Sequence, residues 1–137
     1  MSWPCVLIYV SVISFLSSIL LQVIAYVIFR KNANKFEEII GEFRSRKLDL
    51  DISTNVSYFL SASFHPLKIS YFARLYKGVK LSHKSNKMVS KESYEFIQSL
   101  PDSEILWLVR LHNLNIVAGV MMIGGGIGFI IWRHFFN

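Results

Sequence analysis

Hydrophobic positions fall in two long blocks separated by a mixed middle. The first block, residues 4–29, reads PCVLIYVSVISFLSSILLQVIAYVIF and holds no charged side chain. Twenty of the 25 residues at 5–29 are apolar. A helix of that length, at about 1.5 Å per residue, exceeds the roughly 30 Å hydrocarbon thickness of a bilayer. A backbone in lipid must satisfy its own hydrogen bonds, so the block predicts a tilted transmembrane helix over 4–29. The second block, 114–132, is 19 residues long with only Asn115 strongly polar. It predicts a second transmembrane helix, continuous with an earlier start at Ser99-Leu100-Pro101-Asp102. Ser99 has the chemistry of an N-cap, and Asp102 suits the positive end of the helix dipole. Trp107 and Trp132, near the two ends, suit interface anchors.

Polar positions inside the blocks are patterned. Ser11, Ser14, Ser18 and Gln22 are spaced 3, 4 and 4 apart, which places them on one helical face. The second block carries Gly124-Gly125-Gly126 and Gly128. Gly124 and Gly128 form a small-xxx-small pattern that lets helix backbones approach. The two faces are candidate helix-packing partners, with the serines and Gln22 expected to hydrogen-bond across helices.

The middle, 30–113, has short amphipathic segments. Residues 34–47 place Phe36, Ile39, Ile40 and Phe43 on one face. Asn34 is the expected N-cap with Glu37 completing a capping box, and Glu42 and Arg46 form an i,i+4 pair. Such a helix lies either on the inner leaflet or against the rest of the segment. Acidic and turn-forming residues at 48–55 end it. Residues 56–64 are apolar but too short to span as a helix. Pro66 opens a further helix, with His65 held out of the α region, carrying Ile69, Phe72, Leu75 and Tyr76 and ended by Gly78. Residues 90–100 read as a short helix with Tyr94, Phe96 and Ile97. The fold class is therefore mainly α: two antiparallel transmembrane helices flanking a small helical basic segment.

Composition supports this division. Of 137 residues 53% are hydrophobic, above the usual share for soluble domains, and mean hydropathy is +0.40. Net charge is +6. Fourteen of the 15 Lys and Arg lie between Arg30 and Arg110, and residues 1–29 hold none. The positive-inside rule then keeps the middle in the cytoplasm and sends both termini across. Lys68, Arg74, Lys77, Lys80, Lys84, Lys87 and Lys91 form a run of seven basic residues without an acid. That basic surface suits anionic headgroups, a protein partner, or nucleic acid with Tyr71, Phe72 and Tyr76 stacking on bases. Without a basic n-region or a small-x-small cleavage site, the first block reads as a retained anchor and not a signal peptide.

Catalytic chemistry is not indicated. His65, His83, His112 and His134 lack metal-ligand spacing with one another or with Cys5, which is expected to be an inert buried thiol. All nine acids lie outside the two blocks, whereas ion carriers usually need an intramembrane ionisable residue. Phosphate-loop, nucleophile-elbow and dinucleotide patterns are absent. The sequon Asn55-Val56-Ser57 has no meaning on a cytoplasmic segment. No enzyme activity, catalytic residue, cofactor or metal is expected.

The residues Tyr71-Phe72-Ala73-Arg74-Leu75-Tyr76, Arg110, and the ending Ile131-Trp132-Arg133-His134 resemble the bacterial universal stress protein B family, over about a third of the chain. The layout of two spans around a basic segment is also similar to transmembrane effectors of retron antiviral systems, in which a reverse transcriptase with its RNA–DNA product restrains a membrane toxin. These resemblances imply a multi-pass protein of the bacterial inner membrane with both termini periplasmic. They imply an effector that perturbs the membrane when released, with the bilayer, further copies of itself and a nucleoprotein as partners. The alternative is a structural, accessory or stress-response subunit that anchors a larger inner-membrane complex through another membrane subunit.

Overall fold

The computed structural model describes residues 2–48, 65–82 and 88–136, with the side chain of Lys68 excepted. These hold five helices: α1 (Trp3–Lys31), α2 (Ala33–Ser45), α3 (His65–Tyr76), α4 (Lys91–Gln98) and α5 (Asp102–Phe136). Among the described residues the only β pairing is an isolated antiparallel bridge between Ser82 and Met88. The fold is mainly α, as the spacing of apolar residues predicts. The expected apolar stretch at 56–64, the acidic break after Leu48 and the sequon lie outside the described residues.

The chain divides into two compact units, Met1–Ala25 with Asn113–Asn137, and Tyr26–His112. The first unit contains most of both apolar blocks. α1 is 29 residues long and α5 is 35. Both are long and apolar enough to cross a membrane, and only 17% of each most apolar window is buried. Ile13, Leu20, Val120, Ile123 and Ile130 are all more than half exposed. A core helix of a soluble protein would bury such residues; this surface is compatible with a membrane protein.

The second unit is an aromatic-cored head. Phe36, Ile39, Ile40 and Phe43 of α2 are buried, so their face packs against protein and not against a leaflet. Phe36 and Phe43 meet Phe72 edge-on at 5.7 and 5.3 Å, and Phe43 lies 5.9 Å from Phe96. Ile105, Leu108 and Leu111 of α5 are also buried in this unit, 1% or less exposed. The electropositive ring edges in such pairs point at neighbouring ring faces, which adds to simple burial.

Helix boundaries follow local chemistry, with some departures from expectation. α2 begins one residue after Asn32, whose Nδ2 donates back to the Ile28 carbonyl at 2.9 Å. Asn34 is inside the helix, so the expected capping box with Glu37 does not form. The near-continuous turn from α1 has already supplied carbonyl acceptors for this end: Phe36 N–H reaches Asn32 O at 3.1 Å. Ser99 ends α4 and does not start α5; its hydroxyl donates to Phe96 O at 2.7 Å. Pro101 precedes α5 and its carbonyl accepts from Glu104 and Ile105. α3 begins at His65 itself, although the α region is disfavoured for a residue before proline. α3 ends at Gly78 with φ +71°. Gly78 N–H bonds Leu75 O and Val79 N–H bonds Arg74 O, both at 3.0 Å, a Schellman ending. α2 ends the same way, but Lys47 occupies the left-handed position at φ 57°.

Candidate functional site

The first candidate site is the seam between the two apolar helices in the first unit. Ser14 Oγ donates to the Met121 carbonyl at 2.9 Å. Ser11 lies beside Gly125 and Gly128. Rising numbers on α1 therefore meet falling numbers on α5, which makes the pair antiparallel. Ser11, Ser18 and Ala25 are buried seven residues apart, and so are Ala118 and Gly125. A seven-residue repeat keeps one face of each helix against its partner. Small residues at those positions bring the backbones together.

Gly125 shows how close they come. A Cβ built there would sit 2.8 Å from Ser11 O and 3.0 Å from Phe15 N, both backbone atoms. A Cβ on Gly128 would collide with the Ser11 hydroxyl. Gly124 is exposed with nothing within 4 Å of its added Cβ. The pattern expected from sequence thus needs one correction: the close approach is at Gly125 and Gly128, and Gly124 points away. A rotation of about 100° per residue separates Gly124 from Gly125 on the helix. The signal for Gly125 was the spacing of seven from Ala118.

The polar stripe also differs from expectation in its bonding. Ser14 alone of the three stripe serines is bonded across the helices. Ser11 Oγ donates to Leu7 O at 2.7 Å and Ser18 Oγ to Phe15 O at 2.6 Å, both within α1. Serine hydroxyls in helices reach the carbonyl three or four residues back, and doing so removes their need for a partner helix. Gln22 is half-buried. Asn115 has its side-chain oxygen and nitrogen buried with no hydrogen-bond partner among the described residues. Beside the seam, Ser11, Val12, Phe15, Leu16, Gly125, Gly126 and Phe129 line a groove of about 350 Å³ that is almost wholly apolar. Cys5, expected to be buried, is exposed, with Ser2 Oγ 3.1 Å from its sulfur.

The second candidate site is the basic surface of the head. Arg74 and Lys77 are exposed near the end of α3. Burial first, then the charges of Lys77 and Arg74, pushes the His112 pKa below its ordinary value of 6.5. These three groups therefore share one neighbourhood. Lys80 is exposed in the loop that follows. Lys91 stands on α4, where its Nζ is 3.2 Å from Glu95 Oε1. Lys68 is on α3, and Lys84 and Lys87 lie outside the described residues. Of the three rings expected to stack on bases, Tyr76 is half-buried, and two are not available to do so: Tyr71 is 5% exposed and Phe72 0%. Their helical spacing placed them in the core.

Two further features were not foreseen. His65 is 2% exposed, with its ring stacked on Phe29 at 5.2 Å. Tyr94 Oη accepts from Leu81 N–H at 2.9 Å and donates to Val79 O at 2.7 Å, tying the loop after α3 to α4. Trp107, expected at an interface, has its indole nitrogen enclosed without an acceptor among the described residues. An open cleft of about 560 Å³ lies at Arg46, Leu48, Glu92, Glu95, Phe96 and Ser99. There the Arg46 guanidinium sits 4.7 Å over the Phe96 ring and bonds Glu42 Oε1 at 3.0 Å. Among the described residues no group of His, Cys, Asp and Glu is placed to hold a metal ion.

No protein-family model matches the chain, and neither a curated protein nor a solved structure matches it.

Proposed function

We propose that this chain is a membrane-acting effector of a bacterial, retron-type antiviral defence system. It resides in the inner membrane with both termini periplasmic, and it disturbs that membrane when a regulator releases its basic head. The observation that supports this reading is the bonding of the seam. Ser11 and Ser18 satisfy their hydroxyls within α1, and Ser14 makes the interhelical bond. Parting the two helices in lipid breaks that serine hydrogen bond and leaves the other two hydroxyls satisfied. A seam with so small a polar barrier can exchange an intrachain partner for the same face of another copy, which turns a closed hairpin into an assembly. The head carries the control surface, where Arg74 and Lys77 are exposed and would face an acidic or nucleoprotein regulator.

Inner-membrane potential is the measurement that tests the reading. Expression of the chain alone, or phage challenge of cells carrying its full locus, collapses the potential. No depolarisation in either condition refutes it. Ile13→Arg, at roughly 2.5–3.5 kcal/mol against insertion near mid-span, abolishes the effect.

The apolar groove beside the seam favours a second reading, an accessory subunit whose hairpin receives a helix of a larger membrane complex. Purification in mild detergent with one stoichiometric membrane partner, and no depolarisation, selects that reading.

A further inference from the structure

Within the head, α3 packs against the last turns of α1. At its start, the His65 ring stacks on Phe29 at 5.2 Å and lies 6.3 Å from the Tyr26 ring. Both partners belong to the last turns of the first apolar block. Toward its end, Arg74 and Lys77 act electrostatically on His112, which stands two residues ahead of the second apolar block. Within the second unit, α3 thus packs at its start against the last turns of α1 and carries its closing cations close to His112.

The faces of α3 are segregated. His65, Ile69, Phe72 and Leu75 are buried. Leu67, Arg74 and Lys77 are exposed, and their spacing of 7 and 3 puts them on one face. α3 contains no acidic residue. Arg30 and Lys31 close α1, Arg110 precedes His112, and all three cations are exposed.

We propose that the exposed cations Arg74 and Lys77 form a docking surface for the headgroups of anionic phospholipids in the bilayer that the apolar helices occupy. Charge complementarity selects the occupant. The guanidinium of Arg74 presents a donor fork that fits phosphate oxygens, and Lys77 adds a point charge one helical turn away. Leu67, on the same face, meets the acyl boundary as interfacial helices do. Nucleic acid is the weaker fit, because two of the three α3 rings that would stack on bases, Tyr71 and Phe72, are buried, which leaves the half-buried Tyr76 alone. The inference rests on the membrane placement of the two helices and not on effector activity. Lipid retention and membrane potential are separate readouts, so either proposal can fail alone.

Native mass spectrometry tests it. The full chain, purified in detergent, is offered equal amounts of phosphatidylglycerol and phosphatidylcholine, and the retained lipids are counted. The wild type retains phosphatidylglycerol in preference. Arg74→Gln with Lys77→Gln lowers that preference about fivefold or more. The charge-preserving pair Arg74→Lys with Lys77→Arg keeps most of it, and Lys91→Gln leaves it unchanged. Three results overturn the proposal: equal retention of the two lipids by the wild type, an equal loss in Lys91→Gln, or displacement of phosphatidylglycerol by a single-stranded RNA oligonucleotide. Should the neutralised pair lose helicity by circular dichroism, the wild type's own choice between the two lipids still decides.

Discussion

Replacing Gly125 by alanine adds one methyl group at the closest point of the seam. That methyl would stand 2.8 Å from Ser11 O, 3.0 Å from Phe15 N and 3.2 Å from Phe15 Cβ, where ordinary contact begins at 3.4 Å. Two of the three obstacles are backbone atoms, so no rotamer change relieves them. The helices must separate by about 0.6 Å to restore contact with Ser11 O alone. Overpacking of that kind costs about 1–3 kcal/mol. Part of it is offset by the better helix propensity of alanine, worth about 1 kcal/mol relative to glycine. The separation also stretches the Ser14–Met121 hydrogen bond, now 2.9 Å, and membrane interhelical bonds average roughly 0.6 kcal/mol. A net loss of about 1–2 kcal/mol follows. Gly124→Ala and Gly126→Ala are the controls, since nothing lies within 4 Å of either added Cβ; propensity makes them neutral or slightly stabilising. The assay is reversible unfolding in mixed micelles of increasing dodecyl sulfate, read by energy transfer between labels on the two helices. A Gly125→Ala variant as stable as wild type, with Gly124→Ala destabilised, would show that the Gly124–Gly128 face is the contact and that the described register is wrong.

Other consequences are equally direct. Asn115→Leu removes an amide whose buried atoms lack a partner among the described residues, so the same assay should show a gain of about 1 kcal/mol or more; a loss would reveal a partner for that amide. Lys47→Gly relieves a left-handed position, φ 57°, and should raise the head's thermal midpoint through roughly 1 kcal/mol; an unchanged or lower midpoint refutes the strain argument. His112 has a depressed folded pKa, from burial and then from Lys77 and Arg74. The unfolded chain therefore binds more protons below pH 6.5, and stability is present above that value and lost as pH falls toward the folded pKa. Denaturant titrations between pH 7.5 and 5.5 should show that loss, reduced in His112→Asn; equal loss in the variant assigns the effect elsewhere.

Much of the architecture was legible from periodicity. Two charge-free apolar blocks fixed the length and position of α1 and the latter part of α5, because a run of that kind has no other way to satisfy its backbone in lipid. The apolar face Phe36, Ile39, Ile40 and Phe43, the Glu42–Arg46 pair and the Gly78 ending also follow from local spacing. Local chemistry failed at Asn34 and Ser99. Each is a good capping residue in isolation, but α2 starts early enough to enclose Asn34, and α4 runs on far enough to end at Ser99.

The amino-acid sequence by itself determined which residues are apolar, which helices they make and which faces carry serine, glycine or positive charge. Which glycine touches which serine was decided only by the packed pair. One residue of helix rotation exchanges Gly124 for Gly125, and the sequence GGG is indifferent to that rotation; the buried Ala118 and the Ser11 and Phe15 backbones are not. The same holds for α3, whose cations could have faced solvent anywhere. Contacts of His65 with Phe29 and Tyr26, and the field of Arg74 and Lys77 at His112, join residues far apart in the chain, and only tertiary structure brings such residues together.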